Sequence, residues 1–160
     1  MKILVAEDDQ DARDLLCWLL QKLGYEVVAA ENGKEAWELF RHARFRLVIS
    51  DVLMPELDGL ELCRRIRIHK QSGYTYVIII TALIGKKDYL EGMEAGADDF
   101  VTKPFDPDEL RARLRVAERI ISFQEHAAAE ELAQKNLGTA VVRHKVCKRD
   151  QRREAAEISF

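Results

Sequence analysis

The sequence predicts an α/β fold: a (βα)5 unit, doubly wound about a parallel five-stranded sheet. Two observations carry this. Five short β-rich runs, residues 3–6, 25–30, 47–50, 76–80 and 99–101, follow one another along the chain. Four of them are apolar almost throughout, as strands covered on both faces must be. Helical patterns lie between them, and strict alternation of strand and helix calls for parallel pairing through helical crossovers.

The helices are read from their spacing. Residues 10–23 carry Leu15, Leu16, Leu19, Leu20 and Leu23 as an apolar stripe, and Gly24 supplies the stop. Residues 33–43 set Ala36, Leu39, Phe40 and Ala43 on one face, and residues 59–69 turn Leu60, Leu62, Cys63 and Ile66 inward. Residues 87–95 form a shorter, weaker pattern. After Pro107, a strong helix starts at Asp108 with Leu110, Leu114, Ala117 and Ile121 in line.

Bulk properties exclude several function classes. A chain of 160 residues fits one domain with an extension. The net charge of −3 argues against a general nucleic-acid binder. Met1-Lys2 leads directly into a strand-like run with no small-residue cleavage site, and no apolar run is long enough for a bilayer, so neither a signal peptide nor a membrane role is expected. The three cysteines, Cys17, Cys63 and Cys147, form no C-x-x-C pair, which fits a reducing cytoplasm. The histidines show no metal-ligand spacing.

The stretch VISDVLMPELDG, residues 48–59, raises a question. It ends an apolar strand on Asp51, with no basic neighbour in sequence to neutralise the carboxylate. Right-handed crossovers bring the carboxyl ends of all five strands to one edge, where doubly wound sheets bind their ligands. Glu7, Asp8 and Asp9 follow the first strand, Asp51 the third, Thr81 and Ala82 the fourth, and Lys103 and Pro104 the fifth. Four acids would meet opposite one hydroxyl and one lysine, and crowded carboxylates need a cation. Oxygen ligands of this kind suit Mg²⁺. Asp51 then reads as a nucleophile that takes a phosphoryl group as an acyl phosphate. The metal would hold one phosphoryl oxygen, Lys103 a second as a point charge, and the Thr81 hydroxyl a third.

Simpler readings stand beside these. Asp9 serves as the cap of the first helix. Glu7 and Asp8 on their own are loop acids, Thr81 a strand-end threonine and Phe100 a core aromatic. Gly59, Gly73 and Gly85 are turn residues. Gly85-Lys86-Lys87 lacks the first glycine and final hydroxyl of a P-loop. A turnover phosphatase of the haloacid dehalogenase type would carry D-x-D-x-[T/V] after the first strand. That place reads Glu7-Asp8-Asp9-Gln10-Asp11, and there is no cap domain over it.

Four motifs together carry a family resemblance: Val5-Ala6-Glu7-Asp8-Asp9, Asp51 to Gly59, Ile80-Thr81-Ala82, and Phe100-Val101-Thr102-Lys103-Pro104-Phe105. Residues 1 to about 122 resemble the receiver domain of bacterial two-component response regulators. Receivers are themselves a standard instance of the flavodoxin-like strand order 2-1-3-4-5, so that order comes from the resemblance. It implies a response regulator, not an enzyme, in which Asp51 accepts a phosphoryl group from a sensor histidine kinase or phosphotransfer protein. Asp8, Asp51 and the Leu53 backbone carbonyl would bind Mg²⁺, with Glu7 acting through water. Thr81 and Lys103 would grip the phosphoryl group, and Phe100 would be the aromatic switch that follows Thr81. The Lys103–Pro104 bond would be cis. Leu53 and Leu83 stand at the two positions that tune hydrolysis of the acyl phosphate, and neither side chain orients water.

Helix signals continue past residue 122. Residues 123–137 read as an extension of the fifth helix, with Val116, Ile120, Phe123, Ala127, Gln134 and Leu137 near a heptad seam that Glu130 interrupts. This extension and the face of the fourth helix, fifth strand and fifth helix are candidates for pairing two copies or for meeting a downstream protein. Residues 138–160 form a basic tail, read as a solvated or disordered end.

Overall fold

A computed structural model of the chain describes residues 1–69, 73–82 and 85–157, with side chains up to residue 135. Its elements run β1 (Lys2–Ala6), α1 (Gln10–Lys22), β2 (Glu26–Ala30), α2 (Gly33–His42), β3 (Leu47–Ser50), α3 (Gly59–Ile68), β4 (Tyr76–Thr81), α4 (Lys86–Ala95), β5 (Asp99–Thr102) and α5 (Pro107–Glu157). All strand pairs are parallel and the order is β2-β1-β3-β4-β5. The fold is thus the flavodoxin-like (βα)5 arrangement, with a long C-terminal helix.

Successive strand residues face opposite sides of the sheet, and this divides the core in two. Ile3, Val5, Leu47, Ile49, Ile78 and Ile80 pack with Leu16 and Leu20 of α1 and Leu110, Leu114 and Ala117 of α5. Leu4, Ala6, Val48, Val77 and Ile79 pack with Ala36 and Phe40 of α2, Leu62, Cys63 and Ile66 of α3, and Ala95 of α4. Strands buried on both faces explain the continuous apolar runs in the sequence.

Short polar side chains start three of the helices. Asp9, Asn32 and Asp58 accept hydrogen bonds from the amides of Ala12, Glu35 and Glu61 at 2.8, 2.8 and 2.7 Å, satisfying donors that have no partner within the helix. Gly96 closes α4 in the left-handed region, at φ 95°.

The α1 stripe is narrower than its leucine spacing suggested. Leu16 and Leu20 are buried, Leu19 and Leu23 half-buried, and Leu15 is 56% exposed beside an exposed Trp18. A helix lying flat on a sheet buries only the residues nearest its contact line, and Leu15 falls beyond it.

Two compact units emerge, Met1–Ser122 and Phe123–Phe160. Helix α5 continues to Glu157, past Gly138, where the sequence reading ended the helical extension. The side chains of the basic tail lie outside the described residues. Among the described residues, no helix is long and apolar enough to cross a membrane.

Leu114→Ala should cost about 2–5 kcal/mol of unfolding free energy, because it opens a cavity between α5 and the sheet. Leu15→Ala should change stability by less than about 0.5 kcal/mol. Urea titration of both variants checks the pair; equal losses would contradict the narrow α1 stripe.

Candidate functional site

Strand register builds the site. Ala6 pairs with Ala30 and Ser50, and Thr81 pairs with Thr102. The ladder continues one residue beyond the strands: Glu7 N–H donates to Ala30 O at 3.1 Å, Asp51 N–H to Ala6 O at 2.9 Å, and Lys103 N–H to Thr81 O at 2.9 Å. Glu7, Asp51 and Lys103 are therefore fixed by backbone hydrogen bonds along a single edge.

Their side chains meet there. The Lys103 ammonium donates to Glu7 Oε2 at 2.7 Å and also to Asp51 Oδ2. Glu7 is 3% exposed and Asp51 8%, so both carboxylates depend on this shared cation. Asp51 Oδ1 also accepts from the Leu53 amide at 3.2 Å. Burial pushes the Glu7 carboxyl above its usual range; the hydrogen bond and charge of Lys103 oppose that rise, while Asp51 adds to it. Burial works against the Lys103 ammonium too, but hydrogen bonds to Asp51 and Glu7, reinforced by their charges, hold its pKa above the ordinary lysine value. Lys103 is charged at neutral pH.

Asp8 lies on the exposed side of this cluster. One carboxylate oxygen each from Glu7, Asp8 and Asp51 come within 4.8 Å of one another. Hard oxygen donors at that separation, two buried and one open to solvent, fit a divalent cation. Asp9 faces the helix instead and is its cap.

Thr81 is buried at the end of β4. With Val52, Leu53, Leu60, Tyr89 and Phe100 it lines a cavity of about 350 Å³ beside the acidic cluster. Phe100 is half-buried, its ring centroid 5.2 Å from that of Tyr89. Leu53 is 59% exposed, and Leu83 lies outside the described residues. The Lys103–Pro104 peptide bond is cis.

Three contributors went unread in the sequence. A Cβ on Gly59 would collide with the Asp51 carbonyl, so only glycine lets α3 begin this close to the site. A Cβ on Gly92 would overlap the Phe100 ring, so that glycine makes room for the aromatic. Arg13 donates to the carbonyls of Glu7 and Asp8. Its position in the second turn of α1 was the available signal, because helix side chains lean towards the N-terminus and hence towards this loop.

A doubly wound sheet with an acid cluster, a lysine and a threonine at its carboxyl edge defines a class of phosphoryl-handling switch proteins. The family description "Response regulator receiver domain" matches residues 3–115, and the chain belongs to that family. It is similar to the probable transcriptional regulator ycf27 of Porphyra purpurea, 46% identical over 114 residues, which make up 71% of this chain and 46% of the relative. The chain thus spans about half the length of that curated relative. Among solved structures it resembles the receiver domain of Francisella response regulator 1452, with a TM-score of 0.67, 36% identity, and coverage of 74% of this chain and 96% of that one. It also resembles the Vibrio cholerae chemotaxis protein CheY4, with a TM-score of 0.69, 34% identity, and coverage of 72% and 97%. The chain is a receiver of two-component phosphotransfer signalling.

Lys103→Met would leave two buried carboxylates without the ammonium they share. A carboxyl whose folded pKa lies above its unfolded one favours folding when protonated, and it loses stability as pH rises through that interval. The variant should therefore approach wild-type stability near pH 4 and fall about 3 kcal/mol below it near pH 7. Denaturant titration across that range checks this. A gap independent of pH would mean that Lys103 contributes packing alone.

Proposed function

We propose that Asp51 is the phosphoacceptor of this receiver and that its modification switches the surface presented to a partner. The observation that carries the reading is the Lys103 ammonium, held between Asp51 and Glu7 at the edge of the sheet. A carboxylate oxygen of Asp51 attacks the phosphorus of a phosphohistidine on a sensor kinase or phosphotransfer protein. The P–N bond breaks, the imidazole leaves and takes a proton from solvent, and an aspartyl phosphate forms. Lys103 then gives up its hydrogen bond to Asp51 for one to a phosphoryl oxygen, so its charge stays matched throughout. The Thr81 hydroxyl turns towards a second oxygen, and Phe100 follows into the cavity they share.

Asp8, Asp51 and the Leu53 carbonyl would hold Mg²⁺, with Glu7 acting through water; the close carboxylate oxygens fit such an ion. When bound, the ion neutralises the acid cluster and the charge on the incoming phosphoryl group. Glu7 keeps Lys103 anchored while Asp51 is modified.

Residues 1–122 form the receiver on this reading, residues 123–137 a helical extension and residues 138–160 a basic tail. The chain accepts a phosphoryl group as a cytoplasmic signal and does not turn over a separate substrate. The face of α4, β5 and α5 exposes Tyr89, Leu90, Met93 and Val116, which supports an apolar contact with a second copy or a downstream protein. The name of the ycf27 relative, a probable transcriptional regulator, supports control of transcription as the output.

Native mass spectrometry with Mg²⁺ and acetyl phosphate should record the gain of one phosphoryl group, lost in Asp51→Asn. A full gain in Asp51→Asn would sink the assignment. The phosphorylated form should also decay slowly, because Leu53 and Leu83 cannot orient water. Leu53→Asn combined with Leu83→Glu should speed its loss, and an unchanged rate would contradict that role.

A further inference from the structure

We propose that Arg13 is a positioning residue for the metal site: its guanidinium fixes the backbone of Glu7 and Asp8 and so sets where their carboxylates stand. The inference rests on the reading that Glu7, Asp8 and Asp51 hold a divalent cation.

Arg13 lies in the second turn of α1, and its side chain reaches back over the helix N-terminus. One guanidinium nitrogen, Nη1, donates to the Glu7 carbonyl at 2.7 Å and to the Asp8 carbonyl at 3.2 Å. The other, Nη2, stands 4.0 Å from Glu31, a looser ion pair. The Arg13 side chain is only 13% exposed, while that of Glu31 is 76% exposed. The firm contacts are therefore the two carbonyls, and they belong to the two neighbouring residues whose carboxylates would serve the metal, Asp8 directly and Glu7 through water.

Electrostatics alone would not put an arginine here. A cation near a helix N-terminus opposes the helix dipole, and a cation beside a metal site repels the metal. The hydrogen bonds give the position its reason. The partly buried Glu7 carbonyl gains a donor in this way, and the same nitrogen of the planar fork also reaches the more exposed Asp8 carbonyl while the rest of the fork stays oriented. The loop is then fixed from three sides: Glu7 N–H to Ala30 O, Ala12 N–H to the Asp9 side chain, and Arg13 to the carbonyls between them.

The sign of one effect separates positioning from charge. Isothermal titration of Mg²⁺ into the full chain measures affinity without reference to phosphorylation. Arg13→Ala should weaken binding about tenfold, the scale on which partners of metal ligands act, and Arg13→Lys should recover part of the loss. If Arg13 contributed charge alone, its removal would tighten binding by relieving repulsion. Equal or tighter binding by Arg13→Ala would therefore overturn the proposal. Should Arg13→Ala not fold by circular dichroism, Arg13→Lys decides: weaker binding than wild type supports the role, and equal or tighter binding refutes it. Asp8→Asn is the control for the site itself. If wild type binds no Mg²⁺, or Asp8→Asn binds as well as wild type, the metal site is wrong and the role of Arg13 falls with it. If Asp8→Asn loses binding and Arg13→Ala does not, only the role of Arg13 fails.

Discussion

Two buried carboxylates share one ammonium at the edge of this sheet, and the rest of the site depends on that sharing. Lys103 lies 52 residues from Asp51 and 96 from Glu7 in sequence, so the cluster exists only once the sheet has formed. Without Lys103, Asp51 and Glu7 would be like charges in a poorly hydrated place, a costly arrangement. The strand register answers the question posed by an acid at the tip of an apolar strand. It brings the countercharge in from β5, across β4.

The arrangement also leaves the site ready to change. Asp51 and Lys103 already sit opposite one another, so charge matching does not have to be built when a phosphoryl group arrives. The acid cluster opens to solvent on the Asp8 side, while the cavity lined by Thr81 and Phe100 gives these side chains somewhere to move. Interiors resist small continuous deformation. A cavity next to a buried threonine and an aromatic ring is where two discrete arrangements are affordable in volume. Such a pair of states is what a modification must bias to act at a distance.

Much of this was legible in the sequence, for definite reasons. Strands covered on both faces read as unbroken apolar runs, and their ends fall where the first polar residues appear, so Glu7, Asp51, Thr81 and Lys103 could be lined up before any coordinates. Asp9 announced itself as a cap by standing just before a helical stripe. What was not legible depends on tertiary approach. Periodicity counts leucines but does not say how wide a stripe the sheet will cover, and Leu15 ended up outside. Gly59 and Gly92 looked like a turn residue and a weak helix position; their roles come from the Asp51 carbonyl and the Phe100 ring, which approach from outside their own helices. Arg13 breaks a local rule by putting a cation near a helix start, and such violations often mark functional sites. The break becomes meaningful only once the loop carbonyls are seen beneath it.

The most direct test of the account is to find the atom that carries the phosphoryl group. The chain would be treated with acetyl phosphate and Mg²⁺, then with borohydride, which reduces an acyl phosphate to the alcohol and so converts a modified aspartate to homoserine. Peptide sequencing by mass spectrometry then locates the converted residue. The account expects homoserine at position 51 alone. Conversion at position 8 or elsewhere, with Asp51 intact, would contradict it.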